Sequence, residues 1–247
     1  MSMFKTKKKK KKEKKSSGLH AAHEFLVSKE GGEKTLKDLI GSDQLVIGAY
    51  PEIMNNPDKI RNELNALIKN EGIWNFANNQ SLFSRRGAVA FGPPSYLIAS
   101  NIAMLEEHAP TLNRFVKFIE VAYDKTDKVL TGLWWTYYRS ETDLDDVVVV
   151  KCGVMKPHRD RITGKITDRV IATLGCNTKG GQKRMSFEYS GKPKSKVWID
   201  IHHGMFICLS KESSGNDKFN DKYVKHGVEG AEGTWTITME FSLRQNA

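Results

Sequence analysis

Residues 147–165 read VVVVKCGVMKPHRDRITGK, an apolar run that ends in His158 and Asp160, one residue apart. Alternate residues of an extended chain point to the same side, so this pair can set an imidazole and a carboxylate on one face. A non-haem Fe(II) ion takes two histidines and one carboxylate and leaves its remaining positions open. The second histidine must then come from a distant segment. His202 and His203 follow KVWIDI, and His226 lies in KYVKHGV. His226 is preferred for what comes after it: Arg244 closes the largely apolar stretch TWTITMEFSLR. A cation there would suit an anion such as a dicarboxylate co-substrate, held bidentately. The order is His158-x-Asp160, 65 residues, His226, 17 residues, Arg244. A lone His-x-Asp is weak, since a hydrogen-bonded loop pair reads the same way. The order, the strand context and the closing arginine give the metal reading its weight.

The elements that must position these residues are legible from about residue 130 onward. LTGLWWTYY, DDVVVVKCGV, DRVIATLGC, RMSFEY, KVWIDI, GMFICLS, KYVKHGV and TWTITMEFSLR are eight short β-rich runs separated by turn-like breaks. Their spacing predicts an antiparallel jelly roll. Upstream, QLVIGAY reads as a strand. Asn56-Pro57 opens a helix with Ile60, Leu64, Leu67 and Ile68 on one face and Gly72 as its stop. TLNRFVKFIEVAY, behind Pro110, keeps Leu112, Phe115, Val116, Ile119 and Tyr123 at helical spacing. Helices placed before a β core are expected to buttress one face of it. The expected class is therefore α+β, a double-stranded β-helix backed by N-terminal helices. The expected organisation is a tail over 1–18, an N-terminal helical region over 19–79 and the β domain over 80–247.

Composition sets outer limits. At 247 residues with 39% apolar content the chain can bury a sizeable core. No apolar stretch approaches the roughly 20 residues that span a bilayer, and no apolar segment backs the N-terminal charges, so neither membrane nor secretory signal is expected. Cys152, Cys176 and Cys208 sit in or beside apolar runs and read as reduced core residues of an intracellular protein, cytoplasmic or nuclear. The net charge of +10 is mostly a tail: nine lysines and one glutamate in residues 1–17 give +8, leaving +2 for the rest. Such a run is a solvated extension, a nuclear-localisation-like signal or a sequence-blind grip on phosphates.

Several segments, in order over residues 80–247, resemble the Fe(II)/2-oxoglutarate dioxygenases, and most of all their AlkB branch. They are SRRGAVAFGPPSY, with Arg86, Phe91, Gly92 and Tyr96; DDVVVVKCGVMKPHRD; VIATLGCNTKGGQKRMSFEY, with Leu174, Gly175, Arg184 and Phe187; GMFICLS with KYVKHGV; and TWTITMEFSLRQ. The chain departs from that branch where Val150 and Cys152 stand for an Asn and a Tyr, and where Thr238 stands six residues before Arg244 in place of a second arginine. The resemblance implies Fe(II) on His158, Asp160 and His226, with 2-oxoglutarate as co-substrate on Arg244. It also implies O2 as oxidant and ascorbate as a supporting reductant. It further implies oxidative demethylation of N-alkylated bases in DNA or RNA, by a monomer with nucleic acid as partner. A flipped base would be held between aromatics. Arg86, Tyr96, Trp135 and Tyr137 are the candidates, drawn from SRRGAVAFGPPSY and LWWTYYRS. Alternation along LWWTYY equally predicts two of its aromatics in the core and two beneath the helices. Lys179, Lys183 and Arg184 could flank a nucleic-acid strand or form a solvated turn. Two other substrate readings stand beside this one. The first is hydroxylation of 5-methylpyrimidines in DNA, as in the TET/JBP branch, on the spacing in LGCNTKGGQ. The second is hydroxylation of a protein or small molecule on the same core.

Overall fold

The computed structural model describes residues 46–69, 88–91, 95–138, 155–158, 165–175, 183–189, 197–210, 224–231 and 233–245. Along the chain these form β1 (Val46–Ala49), α1 (Pro51–Met54), α2 (Pro57–Lys69), β2 (Ala88–Phe91), α3 (Ile98–His108) and α4 (Pro110–Asp124). Then come β3 (Lys128–Tyr138), β4 (Met155–His158), β5 (Ile166–Leu174), β6 (Arg184–Tyr189), β7 (Val197–Asp200), β8 (Met205–Ser210), β9 (Val224–Glu229) and β10 (Trp235–Leu243). The strands assemble into a six-stranded sheet, ordered β1-β8-β5-β10-β3-β2, and a four-stranded sheet, ordered β4-β9-β6-β7. All the pairings are antiparallel. This is the expected jelly roll with helices on one face. Seven of the eight strand segments expected from residue 130 onward are strands; DDVVVVKCGV lies outside the described residues. β1, from the N-terminal region, pairs with β8 as an edge of the larger sheet.

The two-residue period of the strands divides the interior into two cores. On the larger sheet, Val170, Ala172 and Leu174 of β5, Phe206 and Cys208 of β8, and Trp235, Ile237, Met239 and Phe241 of β10 face the helices. They pack there with Leu112, Phe115, Val116 and Ile119 of α4 and with Ile60, Leu64 and Leu67 of α2. Burying each such side chain stabilises the fold by about 1.5–3 kcal/mol. Tyr123 of α4 stacks on Phe241, centroids 3.9 Å apart. Residues of opposite parity, Met205, Ile207 and Leu209, turn towards the smaller sheet and meet Met185, Ile199 and Val228.

The other face of β10 does not follow this apolar pattern. Thr236 and Thr238 are buried there, and register places Thr236 opposite Thr173 of β5 on one side and Thr136 of β3 on the other. Three threonines thus form a row across three strands, inside the jelly roll. Two positions further on, Glu240 of β10 accepts from Arg169 Nε at 3.1 Å, and the Arg169 guanidinium lies 5.8 Å from the Trp134 ring.

Candidate metal centre

β4 lies at one edge of the smaller sheet and pairs with β9, and the register sets His158 directly opposite His226. The two imidazole centroids are 4.5 Å apart, with the rings inclined at 55°. His226 is buried, 2% exposed. His158 Nδ1 lies 2.9 Å from the Lys156 carbonyl. A carbonyl only accepts, so Nδ1 is the donor and the neutral ring keeps its lone pair on Nε2, the arrangement a metal-ligating histidine uses. Two opposed imidazoles, one tautomerically fixed by the backbone, fit a divalent transition metal. Asp160 lies outside the described residues, and among the described residues no group of three or more His, Cys, Asp or Glu side chains is placed to hold a metal ion.

The alternative histidines have other work. His203 is 6% exposed; its Nδ1 accepts from Gly175 N at 2.8 Å and its Nε2 donates to the Ile53 carbonyl at 3.0 Å. Burial pulls its pKa down from the ordinary histidine value, as does the Arg61 charge, against the pull of the Ile53 hydrogen bond. His202 is exposed. His203 therefore ties the β7–β8 turn to α1 and to the end of β5.

Arg244 stands elsewhere than its sequence position suggested. It lies past the end of β10, half-exposed, with its guanidinium bonded to Asp124 and 3.7 Å from Asp127 Oδ1. Its backbone N–H donates to the Asp127 carbonyl at 2.9 Å. It binds the exposed corner between α4 and β3, where a strand-end arginine finds carboxylates of its own chain. The aromatic candidates need the same correction. Trp135, 1% exposed, and Tyr137 point into the helix-side core, and Tyr137 packs against Trp235 with centroids 5.0 Å apart. The alternation was right and its phase was not: Trp134 and Tyr138 take the inward-facing positions. Tyr96, 72% exposed, lies in the turn before α3, and Arg86 lies outside the described residues.

Lys183 is the residue that sequence reasoning misplaced. Read as flanking a nucleic-acid strand or sitting in a solvated turn, it is instead 5% exposed. Its carbonyl accepts from Ile201 N at 2.8 Å, which continues the β6–β7 ladder by one rung. That rung puts its side chain on the inner face with Met185 and Ile201, the face His226 and Val228 share through the β6–β9 register. Its ammonium donates to Thr173 Oγ1 at 3.0 Å and lies 5.5 Å from the Tyr138 ring centroid. It therefore bridges the two sheets at the end of the threonine row. Arg184, next in sequence, points outward to Glu229, at 2.8 Å, and to Trp198. The only sequence signal for this division was strand alternation at the start of β6.

No protein-family model and no curated protein matches the sequence. Solved structures do match in fold. A prolyl hydroxylase from Trichoplax adhaerens, in complex with a hypoxia-inducible-factor oxygen-degradation-domain peptide, is 12% identical over 85% of this chain and 89% of that chain, with a TM-score of 0.55. A Pseudomonas putida prolyl-4-hydroxylase is 12% identical over 86% of this chain and 100% of that one, with a TM-score of 0.48. A viral collagen prolyl hydroxylase from Paramecium Bursaria Chlorella virus-1 is 12% identical over 83% and 98%, with a TM-score of 0.42. The likeness to the Trichoplax structure is one of fold: this chain shares the jelly roll of that prolyl hydroxylase. The narrower AlkB likeness gains no support from these neighbours.

Proposed function

We propose that this chain is an Fe(II)/2-oxoglutarate-dependent dioxygenase that hydroxylates an amino-acid side chain of a polypeptide. The observation that carries the reading is the direct opposition of His158 and His226 across β4 and β9, on the smaller sheet of a jelly roll. His158, His226 and Asp160 would hold the metal. Ferrous iron, when bound with 2-oxoglutarate and O2, supplies the oxidation of a substrate C–H bond to an alcohol as 2-oxoglutarate is converted to succinate and carbon dioxide. The chain's own part is placement. The Lys156 carbonyl fixes the His158 ring. Burial of His226 keeps water from one side of the centre. The protein orients and excludes; the oxidising power belongs to the metal centre.

A polypeptide is favoured over a methylated base on two grounds. The fold neighbour with the highest TM-score named above is a prolyl hydroxylase bound to a peptide, which makes proline the first residue to test. Trp135 and Tyr137, the aromatics expected to hold a flipped base, are committed to the helix-side core. The lysine tail that suggested nucleic acid lies outside the described residues.

The test supplies Fe(II), 2-oxoglutarate and ascorbate together with two substrate sets, proline-containing peptides and oligonucleotides bearing N-methylated bases. The expected result is succinate formation with gain of one oxygen on peptide. Both signals should fall in His226→Ala and Asp160→Ala by more than the about 100-fold that loss of a supporting outer partner costs. Loss of a methyl group from the oligonucleotides, with peptides untouched, would return the assignment to base demethylation. Absence of succinate under every condition would overturn the dioxygenase reading.

A further inference from the structure

We propose that Pro157 is a positioning residue for the metal ligand His158, holding a one-residue bulge in β4 that turns the His158 ring onto the face of His226. This rests on the dioxygenase reading above. The register shows the bulge directly. Met155 pairs with Val228 and His158 with His226, so two residues of β4, Lys156 and Pro157, stand against one of β9, Gly227. A regular ladder counted from Met155 would instead set Pro157 opposite His226 and His158 opposite Lys225. Directly opposed residues of an antiparallel pair project from the same face, and a one-residue slip moves a side chain to the other one. Lys225 has the parity of Glu229, which meets Arg184 on the outer face. His226 has the parity of Val228, which packs in the core between the sheets. The extra residue therefore decides whether His158 faces the interior or the surface.

Proline suits this place for two reasons. It has no N–H to give to a ladder, so strands carry it at edges and bulges. Among the described residues β4 is an edge strand and carries the bulge. Proline also confines the residue before it to extended backbone. That residue is Lys156, whose carbonyl lies 2.9 Å from His158 Nδ1. In a regular ladder carbonyls point across to the neighbouring strand, while side chains stand perpendicular to the sheet. A carbonyl meets the ring two residues on only where the strand bends, as a bulged strand does. One local distortion thus performs two tasks: it selects the face of His158 and fixes its tautomer. Lys156 and Pro157 are both exposed, so core packing is not what holds the shape of the bulge.

The experiment reads the histidine rings of the full chain by nitrogen NMR of labelled protein, without metal, at pH about 8, where a neutral ring is expected. Wild type is expected to show His158 as the Nδ1–H tautomer alone. Pro157→Ala should show both tautomers at His158, while His203, held as Nε2–H by Ile53 and Gly175, keeps its signal. Co(II) affinity should fall about 10- to 100-fold in the same variant, the range for losing an outer partner of a metal ligand. Deletion of Pro157 leaves Met155 and His158 two positions apart, so a regular ladder still sets His158 opposite His226. The deletion should nonetheless lose the fixed tautomer, and it serves should Pro157→Ala lose the His203 signal. A pure Nδ1–H tautomer at His158 in either variant would overturn the proposal, as would unchanged Co(II) affinity in Pro157→Ala. A wild type that takes no Co(II) overturns the dioxygenase reading and the proposal together; the tautomer comparison, made without metal, bears on the proposal alone.

Discussion

His203 makes two hydrogen bonds of opposite sense, accepting at Nδ1 and donating at Nε2. Only the neutral ring can do both, so protonation must break the bond from Gly175. Its folded-state pKa is lowered, by burial first, below the value of 6.5 it has when unfolded. The unfolded chain therefore binds the proton more readily, and stability rises with pH in that range. The contribution is complete above about 6.5, declines as pH falls below it, and is gone beneath the folded pKa. Thermal unfolding midpoints followed between pH about 7 and about 5 should fall more steeply for wild type than for His203→Gln. The Gln side chain can keep a donor towards Ile53 without titrating, and parallel curves would show that His203 has no such role. At this scale alternation in the sequence brought out His158, and His226 was chosen over His202 and His203 because Arg244 follows it. It hid Lys183, Thr173, Thr236 and Thr136, whose nearness exists only once strand register is set. It also misdirected Arg244, since nothing in a strand-end arginine tells whether its anion is a ligand or the chain's own aspartates.

α4 shows how an element is held in place by another's side chain. Its N-cap, Ala109, has no capping side chain, and Pro110 begins the helix. The backbone donors of its buried first turn are met from α2: Glu63 accepts from Thr111 N at 3.1 Å through both oxygens and from Leu112 N at 3.2 Å. The carboxylate, 7% exposed, also meets the positive end of the helix. Glu63→Ala should cost about 1–3 kcal/mol by leaving buried N–H groups unmet, measured by denaturant unfolding. Glu63→Gln should cost less, and no change in either would mean water replaces the carboxylate. The helices α2 and α4 were legible because their apolar residues hold one face. α3 was not: Ile98, Ile102 and Leu105 keep helical spacing, but Ala99, Ala103 and Met104 blur the stripe. In β3 the two-residue period was plain, yet which parity faced the helices depended on packing against α4 and β10, beyond any local signal.

Taken as a whole, the molecule is built from pairings between distant parts of the chain: β1 with β8, β3 with β10, β4 with β9. The jelly roll was legible because its strands are short, evenly spaced and broken by turns. Sheet order and the buried threonine row were not, since they arise only when those segments meet. No helix among the described residues is long and apolar enough to cross a membrane. One feature of the architecture bears on the life of the protein. β4, which carries His158, is four residues long, irregular in register, and among the described residues pairs only with β9. A metal ion shared by His158 and His226 would act as a clasp on that edge, its binding energy adding to local stability. Amide hydrogens of Met155, Lys156 and His158 should exchange faster after chelation and slow again on reloading, while those of β5 and β10 stay constant; equal rates in both states would mean the ladder alone secures the strand. With the clasp open, that edge becomes the natural point of entry for a protease, so the amount of this protein in a cell would rise and fall with the supply of metal.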